Sequence, residues 1–462
     1  MSEATQQRPL QSKAAMWFLM LRRSLLAMGI AVGVAACTAS SEDVRPPKDQ
    51  LFFPTGAALT PDSTKLFVVN ANSELRYDSG SIAVFNLALV DQVIGAWTTG
   101  KAAADGCHPD PDRTETLVCD EAQFIDTERG ARVGNFGTDI AVQDFRDGTL
   151  RLIVPTRGDP SVSWVDYDGE KLSCSNAEGF ALCDEAHRLF AVHNTPDLGV
   201  LPDEPFHVAV DSANEFAVVT HLTTGAVTLI DSPAQANATI ADIATGLFAA
   251  DSTTGLRGST GVAVRAASAG SIVYVGSRSE DRIQTFTVGR PGNAEPYLLP
   301  SNYFFLRTAV GTNAGGSQDT RGMVFSPSGD RMYLVNRRPP SLQVFDTSLR
   351  PSGFPANIAI AATDICRQAS SLTVMDSGSG ERAYITCFQD GQLYIVDPSG
   401  QASVEDIVSV GRGPYAAVAV PAQKKLYVTN FLEDTVAVVD VDPASPLRNH
   451  VVLRIGEAKA PE

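Results

Sequence analysis

A short β-hairpin unit recurs along the chain, and no other feature of the sequence restricts the fold as strongly. The last copy is the clearest: "AVAVPAQKKLYVTNFLEDTVAVVD" (417–440) reads as an apolar strand, a polar turn, a strand, a second turn and a third strand. The same order recurs at 56–86, 139–166, 207–231, 261–287, 322–346 and 371–397, the copy at 139–166 being the least regular. Each copy is followed by room for a fourth strand, such as 92–97 or 450–455. A lone hairpin is marginal in water, so each unit needs neighbours to cover its faces. Four antiparallel strands repeated seven times specify an all-β chain folded as a seven-bladed β-propeller, with each blade packed between two others around a channel. A long sandwich or two separate β domains would not keep so constant an order of elements.

The segment ahead of the repeats belongs to a different object. Met20-Leu21-Arg22-Arg23 is a basic lead, and residues 24–36 are uncharged and largely apolar. That run is too short to span a bilayer and fits the apolar part of an export signal, with Met20 as the natural start. Arg22-Arg23 matches a twin-arginine signal only loosely. Val34-Ala35-Ala36-Cys37 resembles the lipobox of bacterial lipoproteins. The resemblance implies that Cys37 is lipidated and becomes the first residue after cleavage, giving 1–36 as signal peptide and 37–50 as lipidated Cys and short tether. The propeller then covers 51–456, and 457–462 is a tail. Thr38 lacks the acidic character that retains many such proteins at the inner membrane, so the expected location is the cell envelope, anchored in the outer membrane by acyl chains on Cys37. Stable anchoring of this kind takes more than one chain.

Charge excludes some partners. The formal net charge is −17. Residues 1–36 contribute Arg8, Lys13, Arg22 and Arg23 against Glu3, so the remainder is more acidic still. Such a surface repels nucleic acid, which is therefore not an expected partner. With Cys37 assigned to lipid, six cysteines remain: Cys107, Cys119, Cys174, Cys183, Cys366 and Cys387. An even number suits disulfides in an oxidising compartment, with 107–119, 174–183 and 366–387 as the expected pairs. None forms a C-x-x-C, which argues against a zinc or thioredoxin-like motif.

Tyr427-Val428-Thr429-Asn430 is the signature of the YVTN family of propeller repeats, and the chain resembles that family over roughly residues 50–456. Leu334-Val335-Asn336 and Phe67-Val68-Val69-Asn70 are degenerate copies, as are the turns Ser326-Pro327-Ser328-Gly329-Asp330 and Thr60-Pro61-Asp62. The resemblance implies a YVTN-type or lactonase-like propeller, a group that includes surface-layer proteins and lactone hydrolases. It fixes architecture and leaves activity open.

Propeller geometry turns sequence position into place. Residues at the start of each innermost strand ring one mouth of the channel: Thr55-Gly56, Thr138-Asp139, Phe206-His207, Thr260-Gly261, Arg321-Gly322, Ser370-Ser371 and Tyr415-Ala416. Most are small. Asp139, His207, Arg321 and Tyr415 stand out, and an acid, an imidazole, a guanidinium and a phenol together suit an anionic or polyhydroxylated ligand. The competing explanation is that they hold channel water or pin adjacent blades. Lactonase-like propellers hold a divalent metal on several acidic or amide ligands, and only Asp139 meets that requirement in this ring. A divalent cation such as calcium is also conceivable on Asp110, Asp112 and Glu115, in the loop that a 107–119 disulfide would close, although no EF-hand spacing is present.

Other patterns carry less. Gly95 to Lys101 copies the glycines and lysine of a phosphate-binding loop, but Ala102 stands where the motif needs Ser or Thr, and an outer strand with its turn is expected instead. His187 and His193 flank a short strand; His221 and His450 are expected in an exposed turn and near the last strand. The expected function is binding or scaffolding through the top face, with an envelope protein or small ligand as partner. The alternative is an enzyme of lactonase-like hydrolase or oxidoreductase type, its site at the channel mouth.

Overall fold

The computed structural model describes residues 44–459, apart from 178, 252–253, 268–269, 293 and 307–318. The expected export signal, Cys37, most of the expected tether, most of the Gly-rich stretch 307–320 and residues 460–462 of the tail lie outside the described residues. Residues 45–459 belong to one unit, and no helix among the described residues is long and apolar enough to cross a membrane.

Seven antiparallel blades follow one another in chain order, each running from an innermost to an outermost strand. Blade three is typical: Pro205–Val210, Phe216–His221, Val227–Asp231 and Thr239–Ala244. Blade two is irregular at its rim, where Leu172–Ser173 and Arg188–Leu189 both pair with Ser161–Tyr167. The middle strands of the blades are apolar on both faces because each faces two neighbours. In Lys65–Asn70, Leu66 and Val68 join a core with blade seven, while Phe67 and Val69 join one with blade two. The same division gives one apolar core at each of the seven blade junctions. Tyr427 of the YVTN motif is fully buried between blades seven and one, whereas Leu426 and Val428 face blade six.

Hydroxyl groups stitch the inner strands together. Thr55 Oγ1 donates to the Gly137 carbonyl at 2.8 Å, Thr138 Oγ1 to Phe206 at 2.6 Å, Thr220 Oγ1 to Thr260 at 2.8 Å and Thr260 Oγ1 to the Thr320 carbonyl. Arg337 Nε makes the step to Ala369 at 2.5 Å, and Ser370 Oγ reaches Pro414 at 3.0 Å. Thr429 Oγ1 closes the ring on the Thr55 carbonyl at 2.7 Å.

Blade seven owns all four of its strands, Pro414–Val420, Lys425–Asn430, Thr435–Asp440 and His450–Ile455, so no strand is exchanged at closure. Its outer strand is extended by a clasp from elsewhere in the chain. Leu117–Cys119 pairs in parallel with 453–455, and Cys107–Pro109 pairs with Leu117–Cys119 across the Cys107–Cys119 disulfide. The expected Cys174–Cys183 and Cys366–Cys387 disulfides are also formed.

One element differs from expectation. Residues 92–97 are not the fourth strand of blade one. They lie in the helix Leu87–Thr98, and Ala131–Val133 supplies the strand. Asn86 caps the helix by accepting from the Ala88 N–H, and Leu87, Val90 and Ile94 are buried against the junction of blades seven and one. Spacings of three and four put those side chains on one helical face. The glycine-and-lysine pattern at 95–101 is thus the last turn of this helix and the residues after it.

Candidate functional site

In every blade the inner strand is offset at the same place. Its first residue pairs with the end of the second strand: Pro54 with Asn70, Gly137 with Thr156, Pro205 with His221, Ser259 with Ser277, Thr320 with Asn336, Ala369 with Cys387, and Pro414 with Asn430. In six blades a β-bulge follows at once. A bulge re-aims side chains without disturbing the ladder beyond it. His207, Arg321 and Tyr415 sit in these bulges, and Asp139 occupies the equivalent place in blade two.

The four predicted residues come together. Asp139 Oδ2 lies 3.4 Å from His207 Nδ1, and their side chains are 24% and 17% exposed. Asp139 also accepts the Ile140 N–H on Oδ1 at 2.9 Å and the Val208 N–H on Oδ2 at 3.1 Å. Burial nevertheless pushes its carboxyl up to about 7, the two N–H groups offsetting part of the rise. Burial, helped by the charges of Arg321 and Arg337, pushes His207 down to about 3, so its imidazole is neutral at physiological pH. Tyr415 is pushed up to about 12 by burial and Asp139, against the opposing pull of Arg321, Arg157 and Arg337. Arg321 is held by Asp319, Nε to Oδ1 at 2.8 Å, and its guanidinium lies 5.3 Å from the centre of the Phe206 ring.

A second ring of mouth residues was not anticipated. The residue after each paired second-strand position donates its N–H to the carbonyl two residues before the bulge, in all seven blades: Ala71 to Phe53, Arg157 to Phe136, Leu222 to Glu204, Arg278 to Gly258, Arg337 to Asp319, Phe388 to Gln368 and Phe431 to Gly413. Three arginines and two phenylalanines therefore share one level of the mouth. Aligning the repeats on the end of the second strand, rather than on the inner strand, exposes this ring in the sequence.

The ring makes the mouth cationic in an acidic protein. Arg157 pairs with Glu204 at 2.6 Å. Among the described residues, Arg278, Arg337 and Arg338 have no carboxylate within ion-pair distance. Burial and the neighbouring Arg321 and Arg278 push Arg337 down to about 10. Arg278 is lowered by burial, Arg321 and Arg338. Arg157 Nε, Glu204 Oε2 and Thr320 Oγ1 are buried without a hydrogen-bond partner. Buried polar groups are normally paired, and the first two of these lie together at the Arg157–Glu204 pair.

The donor set does not fit a metal. No group of three or more His, Cys, Asp or Glu gathers among the described residues, and the neighbours of Asp139 are basic or aromatic. The loop closed by Cys107 and Cys119 fares no better: Asp110 Oδ1 accepts the Asp112 and Arg113 N–H groups and caps a turn. His221 is also corrected. It is fully buried, its Nε2 2.9 Å from Thr228 Oγ1 and its Nδ1 3.2 Å from the Asp203 carbonyl, and burial pushes it down to about 4. It braces a strand end and sits in no exposed turn.

Solved structures with the same architecture include a candidate 6-phosphogluconolactonase of Bacteroides fragilis, TM-score 0.57 at 13% identity, covering 86% of this chain and 99% of that one. A Lactobacillus plantarum protein gives 0.55 at 14%, with 88% and 96% covered. The periplasmic gluconolactonase of Pseudomonas aeruginosa gives 0.51 at 16%, with 79% and 87% covered. The shared fold is the seven-bladed β-propeller. No family model matches the sequence, and no curated relative matches it. At such identities the likeness speaks for the fold alone.

Proposed function

We propose that the chain is a lactone hydrolase of the cell envelope, acting on a small anionic lactone at the channel mouth. The observation that carries this reading is the Asp139–His207 pair set among arginines. A base works best with a pKa near the operating pH, and Asp139, not His207, meets that condition. As a carboxylate, Asp139 takes a proton from water while the water oxygen adds to the lactone carbonyl. Arg321 and Arg337 stabilise the oxyanion that forms. When the ring C–O bond breaks, the proton returns from Asp139 to the departing alkoxide, giving a hydroxy acid. Neutral His207 lies beside the carboxylate, its Nδ1 3.4 Å from Oδ2.

The test is proton release in a weakly buffered solution, using 6-phosphoglucono-1,5-lactone and an aromatic lactone acid, phthalide-3-carboxylate, against the uncatalysed rate. Turnover should rise with pH through about 7 as Asp139 ionises. Asp139→Asn should lower kcat by a factor of 10²–10⁴, roughly the range for loss of a general base. Wild-type protein that never exceeds the uncatalysed rate would sink the proposal.

The second reading is a binding or scaffolding module working through the same face. What favours it is that both Asp139 oxygens already accept backbone N–H groups, as a purely structural carboxylate would. Anion binding without turnover would select it. We further propose that acyl chains on Cys37 hold the protein at the outer membrane, and Cys37→Ser should release it into the soluble fraction.

A further inference from the structure

We infer that the ligand of the channel mouth carries a flat apolar ring beside its anionic group, as an aromatic or unsaturated carboxylate does. The inference rests on the mouth being the binding site and goes on to name the class of ligand.

Around the second ring the residues are segregated. Blades two, four and five present Arg157, Arg278 and Arg337, while the adjacent blades six and seven present Phe388 and Phe431. Phe431 is the hub of an aromatic shelf. Its ring centre lies 6.2 Å from that of Tyr415, 5.9 Å from Phe388 and 5.3 Å from Phe53. Phe388, Phe431 and Tyr415 are each only partly buried, so the shelf keeps exposed surface next to a residue of the mouth itself. The hydroxyl of Tyr415 feels the charges of Asp139, Arg321 and Arg337, which ties the shelf to the cationic side.

A sugar acid fits this arrangement poorly. Its hydroxyl groups need donors and acceptors on every side, and a site that leaves them unpaired rejects such a ligand. On the aromatic side the second ring offers Phe388, Phe431 and Ala71, none with a hydrogen-bonding side chain. In the bulge ring of these blades the Ser370 hydroxyl is committed to the Pro414 carbonyl, which leaves those of Ser371 and Tyr415. A planar ring lying on the phenylalanines, with its carboxylate turned to the arginines, pairs its charge and needs no hydrogen bond from the phenylalanines.

Calorimetric titration of the full-length protein with benzoate, gluconate and acetate tests this, since the three differ in the ring and not in the charge. Benzoate should bind at least tenfold more tightly than gluconate. Phe431→Leu should reduce that advantage at least fivefold and leave acetate unchanged, and Arg337→Gln should weaken all three alike. Phe388→Leu serves as a second probe of the shelf should Phe431→Leu not fold. Equal affinities for benzoate and gluconate, or a shelf variant that weakens acetate as much as benzoate, would overturn the inference and leave the mouth as an anion site. Binding of none of the three would overturn the anion site along with it.

Discussion

Thr429→Val removes one hydroxyl from the seam between blades seven and one and changes the shape of the side chain hardly at all. Thr429 is 1% exposed, and its Oγ1 has two roles: it donates to the Thr55 carbonyl at 2.7 Å and accepts the Ala416 N–H at 3.0 Å. The substitution leaves both backbone groups without that partner. A buried polar group left unpaired costs about 1–3 kcal/mol. Thr55 is 2% exposed, so its carbonyl should cost near the top of that range, while Ala416 lies in the half-exposed bulge and should cost less. We therefore expect a loss of about 3 kcal/mol. For a propeller of this length that corresponds to a fall in Tm of about 3–4 °C, because the unfolding entropy scales with chain length. Thr429→Ser keeps the hydroxyl and loses one methyl group, for about 1 kcal/mol. The assay is the urea midpoint of the two variants and the parent at unchanged slope. A Val variant within about 0.5 kcal/mol of the parent, well below the cost of an unpaired group, would refute the argument. So would a Ser variant that loses as much as Val. Thr55→Val, which cuts the stitch between blades one and two, should match Thr429→Val if all the stitches are equivalent.

Three further outcomes follow from the same structure. Asp139, raised from 3.8 to about 7, binds a proton in the folded state that the unfolded state has released, so its contribution is present below pH 3.8 and lost as pH rises through 7. His207, lowered from 6.5 to about 3, contributes the opposite slope: stability present above pH 6.5 and lost as pH falls through 3. The two cancel where they overlap, so Asp139→Asn should uncover a rise in stability of about 1.4 kcal/mol per pH unit across the histidine window, seen in denaturation midpoints against pH; a profile as flat as the parent's would contradict it. Replacing both Cys107 and Cys119 by Ser should cost up to about 3 kcal/mol and speed amide exchange in 453–455, where the clasp pairs with blade seven; unchanged exchange would show that the clasp stands without its disulfide. Asn86→Ala should cost about 1 kcal/mol through loss of the helix cap, read as a lower urea midpoint, and no change would mean that the cap is dispensable.

The sequence carries the blades because two separate signals coincide: apolar strands that alternate between two cores, and polar turns at regular intervals. It also places Asp139, His207, Arg321 and Tyr415 at one level, since the start of the inner strand falls at the same point of each copy. The helix Leu87–Thr98 is harder to read, because a short apolar run such as 92–97 fits a strand as well as a helix and only Asn86 marks the start. The arginine and phenylalanine ring goes unread for another reason. Arg157 and Arg278 stand just past a strand end and Arg337 on one, where a charged residue usually means solvent, and their convergence depends on sevenfold closure. Nothing local marks His221 as buried either, because the groups that satisfy it, Thr228 and the Asp203 carbonyl, are contributed by other segments.

The route by which the chain enters the ring has a mechanical consequence. The segment leading into the first strand crosses the seam, with the Leu51 N–H on Glu121 and the Phe53 N–H on Asp434 at 2.6 Å. Tension applied at the N terminus would thus arrive first at the joint between blades seven and one, before any blade is sheared. The Thr429 hydroxyl and the Cys107–Cys119 clasp lie across that joint. A propeller tethered at its front end and tugged by its surroundings would begin to open there, and its resistance to force would be set by a few contacts at one seam.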